Sequence, residues 1–219
     1  MNETVPAQTY GLEKNRLEAL ADGIFAVSLT LLVLDIKLPE NATATTHDEL
    51  VRNLLGLERH LVIYVISFVV IGIFWINHHV QFHFVKRTNR GLIWINLLYL
   101  LLVSFVPFAT DLIGDHKELV LPCEIYGFAL LALSATSLLH LQYLVRHPEL
   151  ISSDLTQGVY RTINRRIEVS AIVPLLSMLA ALFSTHVAVY VYLLLATAHF
   201  FPGTIDERFG TGRKERLPI

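Results

Sequence analysis

Charged residues in this 219-residue chain stand in clusters, and long apolar stretches separate them. Residues 61–77, 91–110, 125–145 and 169–205 contain no Asp, Glu, Lys or Arg. About 20 apolar residues in a helix, at about 1.5 Å each, match the roughly 30 Å hydrocarbon core of a bilayer. The last run is too long for one helix and divides into two, with a turn at Ser184-Thr185-His186. A shorter run, 23–34, lies between Asp22 and Asp35. The pattern therefore predicts an all-α integral membrane protein, one domain over 1–219. Its six transmembrane helices are placed at 14–37, 57–79, 91–113, 122–145, 166–184 and 187–202.

The first helix is the unusual one. Its uncharged run covers only about 18 Å. Glu18 fits the headgroup zone, but Asp22 lies about 9 Å deeper than Arg16 and needs a partner from another helix or subunit. On a helical wheel Arg16, Leu20, Gly23, Val27, Thr30 and Leu34 share a stripe about 80° wide, with Leu31 just beyond it. The opposite face, with Phe25, Leu29 and Leu32, is also apolar. Periodicity leaves open which of the two faces has the special task.

Composition agrees with a membrane protein. Hydrophobic residues make up 53% and charged residues 16%, with a mean hydropathy of +0.53; soluble domains carry about 25% charged residues. A net charge of −2 argues against a nucleic-acid partner. Cys123 is the single cysteine, which excludes an intrachain disulfide. The first dozen residues are polar and include Pro6 and Gly11, so no cleavable signal peptide is expected.

Lys and Arg set the expected orientation. Six spans place Lys14, Arg16, Lys86, Arg87, Arg90, Arg146, Arg161, Arg165, Arg166, Arg208, Arg213, Lys214 and Arg216 on the side of both termini. Only Lys37, Arg52, Arg59 and Lys117 lie opposite. Both termini are therefore expected in the cytosol, and the plasma membrane is the expected location. Residues 38–56 form the longest outer loop. Residues 146–165 form a cytosolic connector, with Pro148 and a helix-start signal at Ser152-Ser153-Asp154.

His79 and His83 stand at i, i+4, but no Glu follows in the His-Glu-x-x-His manner, so they read as interfacial. His140, His186 and His199 stand alone. Trp75 and Trp94 read as interface anchors, and Pro107, Pro174 and Pro202 as helix kinks or ends. Intramembrane carboxylates and histidines are too few for an enzyme site, and no cofactor is expected.

Several of these residues also carry a resemblance. Arg16-Leu17-Glu18-Ala19-Leu20-Ala21-Asp22 is similar to an Arg, three residues, Phe-Ser-Asp signature, with Leu20 and Ala21 in place of Phe and Ser. Gly23-Ile24-Phe25-Ala26-Val27 and Thr30-Leu31-Leu32-Val33-Leu34 continue the match. Trp75 with His78 follows on the second span, and Asn96 with Phe105, Pro107 and Phe108 on the third. In these features the chain resembles the bacterial branch of the transmembrane protein 175 potassium channel family, of endosomal and lysosomal type.

The resemblance implies a homotetramer whose first helices surround a central pore. It places the constriction at Val27, further hydrophobic layers at Leu31 and Leu34, and a hydroxyl layer at Thr30, with K+ passing transiently near Val27 and Thr30. It also implies a structural polar network of Arg16, Asp22, His78 and Asn96. No Thr-Val-Gly-Tyr-Gly filter is present. Selectivity for potassium among monovalent cations would then come from partial dehydration at a narrow ring, and hydrophobic rings can close a pore by dewetting. The alternative is a small secondary transporter or a proton-coupled membrane protein, for which Pro107 and Pro174 are the hints.

Overall fold

A computed structural model describes residues 13–38, 44–116 and 118–200. Pro6, Gly11, Lys117, Pro202, Arg208, Arg213, Lys214 and Arg216 lie outside the described residues, as does the side chain of His199. The fold is all-helical, with helices α1 (Lys14–Leu31), α2 (His47–Leu55), α3 (Glu58–His83), α4 (Arg90–Asp115), α5 (Val120–Arg146), α6 (Gln157–Ala181), α7 (Thr185–Val191) and α8 (Leu193–Phe200).

Side-chain caps fix several starts. The Asn89 carboxamide oxygen accepts from the Leu92 N–H at 2.9 Å, the Thr156 hydroxyl from Val159, and the Ser184 hydroxyl from Val187. Thr156, rather than the Ser152-Ser153-Asp154 trio, therefore starts α6. In that trio the Ser152 hydroxyl donates to the Asp154 carboxylate at 3.0 Å and its oxygen accepts from the Asp154 N–H, so the pair closes a local turn on itself and caps no helix. The α6–α7 turn falls at Ser184, where two spans were expected to divide.

Among the described residues four helical segments are long and apolar enough to cross a membrane: Lys14–Asp35, Glu58–His83, Arg90–Asp115 and Val120–Arg146. The first gains length from a 3-10 turn, Leu32–Asp35, that continues α1. Its α-helical and 3-10 parts together reach about 35 Å, so the segment is long enough to span a bilayer only with Asp22 counted in its length. α6 is as long, but Arg161, Arg165, Arg166 and Glu168 lie on its first turns.

α1 packs on α3 and α4, α4 on α5, α5 on α6, and α6 on α7 and α8. Phe25, Phe74, Tyr99, Tyr126 and Leu130 are at the centre of the main core. On the charge-rich side, Lys86 N–H donates to Leu150 O at 2.7 Å and Ser152 N–H to Phe84 O at 2.8 Å, which pins the α5–α6 connector to the end of α3.

Neither Pro107 nor Pro174 ends its helix. Proline is tolerated inside a membrane helix where another group replaces its missing N–H. At Pro174 the carbonyl left over is that of Ser170, four residues earlier. The buried Ser134 hydroxyl on α5 lies 2.9 Å from that oxygen and shares its proton between it and Leu130 O.

Ser134→Ala should therefore lower stability by about 0.5–2 kcal/mol. The same change in a Pro174→Ala background should cost much less, because the substituted position then supplies its own backbone N–H to Ser170 O. Thermal unfolding of the purified protein in detergent measures both; equal losses in the two backgrounds would contradict this account.

Candidate functional site

α1 has one face inside the chain and one outside it. Leu17, Ala21, Phe25, Ser28 and Leu32 are buried, with Phe25 1% and Leu32 0% exposed, and Leu29 is half-buried. Arg16, Leu20, Gly23, Val27, Thr30, Leu31 and Leu34 are exposed, Val27 by 57% and Leu34 by 59%. The stripe that periodicity could only mark as one of two apolar faces is thus the face the chain leaves uncovered. Only 28% of the most apolar stretch of this segment is buried inside the chain, against 44%, 44% and 50% for the other three. A β-carbon on Gly23 would meet nothing within 4 Å, so packing inside the chain gives no reason for a glycine there.

The polar atoms of the stripe are few. The Thr30 hydroxyl is 3.0 Å from Ala26 O and 2.9 Å from Val27 O. Its proton is turned back to its own helix, and its oxygen lone pairs remain free to face outward. A hydroxyl held this way can accept a hydrogen bond or touch a cation, the role a ring of dehydrating ligands requires.

The predicted polar network comes together in part. The His78 Nε2–H donates to the Asn96 carboxamide oxygen at 2.8 Å, and both residues are buried. The His78 ring stacks on Phe82 and Tyr99, with centroids 4.4 and 5.2 Å away, and Phe25 of α1 lies 6.0 Å from it. Asp22 lies near enough to His78 to interact with it electrostatically but makes no hydrogen bond to this pair. Within the chain its partner is Trp75, whose indole N–H donates to the carboxylate at 2.9 Å. The reason is angular: His78 is turned into the bundle, whereas Trp75 lies on the exposed side of α3 and reaches the flank of α1 where Asp22 stands. Trp75 is thus a helix-to-helix donor, not simply an interface anchor. Arg16 is exposed and makes no hydrogen bond or ion pair with Asp22, His78 or Asn96 among the described residues.

Sequence reasoning also missed a second polar chain. The His140 Nδ1–H donates to the Gln81 carboxamide oxygen at 2.8 Å, and the Gln81 amide donates to the Ser137 hydroxyl at 2.7 Å. His140 stacks on Phe82 at 5.1 Å, so Phe82 links it to His78. His140 therefore does not stand alone. Nor does His186, whose Nδ1 is 3.1 Å from an Arg59 guanidinium nitrogen. Gln81 was the available signal, because an amide in an apolar helix demands partners on its neighbours. His79 and His83 are exposed, and among the described residues no three His, Cys, Asp or Glu side chains group to hold a metal.

Comparison with known proteins bears on this arrangement. The family profile of the endosomal/lysosomal potassium channel TMEM175 matches residues 16–107. A protein of Chryseobacterium sp. (strain P1-3) named as a potassium channel is 30% identical over 204 residues, 93% of this chain and 100% of that one. The Homo sapiens endosomal/lysosomal proton channel TMEM175 is 23% identical over 85% of this chain and 37% of its own length. Among solved structures, a lysosomal potassium-selective channel TMEM175 homolog from Chamaesiphon minutus superposes with a TM-score of 0.71 at 29% identity, over 84% of this chain and 95% of that one.

The Asp22–Trp75 bond can be weighed by a double-mutant cycle. Asp22→Ala and Trp75→Phe each remove the same contact, so their effects on thermal stability in detergent should be non-additive by about 0.5–2 kcal/mol. Strict additivity would show that the two side chains do not act on each other.

Proposed function

The chain belongs to the TMEM175 family of potassium channels, and we propose that it conducts potassium passively across the plasma membrane through a pore lined by α1. The observation that carries this reading is the apolar stripe of α1, which the chain leaves uncovered although α1 crosses the bilayer. Four copies around an axis cover such a stripe, because a closed ring brings the same face of every subunit to one line. The protein in this reading is a homotetramer of six-span subunits, with α6 as the fifth span and α7 with α8 as the sixth. Both termini are cytosolic, in keeping with the Lys and Arg distribution.

In that assembly Val27, Leu31 and Leu34 form successive hydrophobic rings, with Thr30 as a hydroxyl ring among them, over about 10 Å of axis. A cation passing Val27 sheds part of its water. Potassium holds its water less tightly than sodium and loses less, and the Thr30 oxygens replace part of what is lost. The polar set is structural: Asp22 with Trp75 fixes α1 on α3, and His78 with Asn96 fixes α3 on α4. The family is one of ion channels, and in this reading the permeant ion is the ligand.

Planar-bilayer currents test the assignment. Val27→Ala should widen the ring and raise cation flux, and Val27→Leu should lower it. Thr30→Ala should shift the reversal potential toward lower potassium-over-sodium preference. A proton gradient applied in the same bilayers separates potassium from proton conduction, the activity for which the human relative is named. Unchanged currents in all three variants would overturn the pore assignment.

A further inference from the structure

Helix α2 is built the wrong way round for a helix in water. On a wheel Leu50, Val51, Leu54 and Leu55 share an arc of about 140° that also takes in His47; Glu49, Arg52 and Asn53 lie opposite, and Asp48 borders the arc beside Leu55. Part of the polar side is turned toward the protein. Arg52 and Asn53 line a cavity of about 510 Å³ with Asp35, Lys37, His60, Asp111 and Asp115, three carboxylates against one lysine, at the ends of α1, α3 and α4. The apolar side points away from the chain, and all four of its side chains are exposed, Leu55 by 68%.

Its two ends are fixed locally, and its C-terminal end is fixed against α3. A capping box starts it: the Thr46 hydroxyl accepts from the Glu49 N–H, and the Glu49 carboxylate accepts from the Thr46 N–H at 3.2 Å. At the other end Gly56 N–H bonds Arg52 O and Leu57 N–H bonds Leu54 O, both at 3.0 Å, and α3 begins at Glu58. Two residues span at most about 7 Å. The C-terminus of α2 is therefore held at the depth where a membrane-spanning helix enters the bilayer. An apolar face that looks outward at that depth meets acyl chains and headgroups.

From this juxtaposition we infer that α2 is an interfacial helix, with Leu50, Val51, Leu54 and Leu55 set into the leaflet into which α3 opens, and Arg52 and Asn53 turned over the acidic cavity. This requires only that the chain cross a membrane. It does not require α1 to line a pore, so the two readings fail separately.

Spin labels on single cysteines in a Cys123→Ala background, in lipid nanodiscs of phosphatidylcholine and phosphatidylglycerol, test it. Relaxation by oxygen reports lipid exposure, and relaxation by a nickel chelate reports water. Labels at Val51→Cys, Leu54→Cys and Leu55→Cys should lose nickel access and gain oxygen access relative to Glu49→Cys and Arg52→Cys on the polar side. Equal nickel access all round would place α2 in water. Immobilised labels at 51, 54 and 55 with low access to both agents would mean that a second copy of the chain covers this face. Either result overturns the inference.

Discussion

The packing of Phe25 into the bundle governs the rest of the molecule. Its ring is 1% exposed and lies against His78 of α3 and Tyr99 of α4, both about 6 Å away. With Leu17, Ala21, Ser28 and Leu32 on the same side, it fixes the rotation of α1 about its own axis. Once that rotation is fixed, every residue of the other stripe must look outward: Val27, Thr30, Leu31 and Leu34 have no place inside the chain. The uncovered face of α1 follows from how well its other face is covered.

Polar groups then hold that rotation in an environment where water cannot. Lipid offers no hydrogen bonds, so each intramembrane polar side chain must find its partner within protein. Asp22 takes Trp75, His78 takes Asn96, and Gln81 joins His140 to Ser137. Each pair or trio links two helices, and together they lock α3 against α1, α4 and α5. The same logic explains how α6 passes through Pro174, since Ser134 supplies the donor that proline lacks.

Much of this was legible in the sequence, and the gaps have physical causes. The uncharged runs located α3, α4 and α5 because lipid selects for length and apolarity, which a linear pattern displays directly. The stripe on α1 was also legible, but not its role: Phe25 and Val27 are both apolar, and only the neighbours of α1 decide which one is buried. The partner of Asp22 was hidden for a similar reason. Trp75 lies on another helix, and its indole near a span end satisfies two explanations equally well until the angle of α3 is known. The helix-start signal at Ser152 failed because Asp154 satisfies the Ser152 hydroxyl locally. Helix α2 was missed although Thr46-His47-Asp48-Glu49 is a capping box, because a short helix in an outer loop leaves little periodicity to read.

The central claim is that the uncovered stripe of α1 faces the ion path. Its most direct test is the reactivity of single cysteines under current recording, in a Cys123→Ala background, toward a small thiol-reactive monovalent cation such as silver. Val27→Cys and Leu31→Cys channels should lose their potassium current on exposure. Phe25→Cys channels, with the thiol on the buried face, should keep theirs. Loss of current at Phe25→Cys, or none at Val27→Cys and Leu31→Cys, would contradict the account.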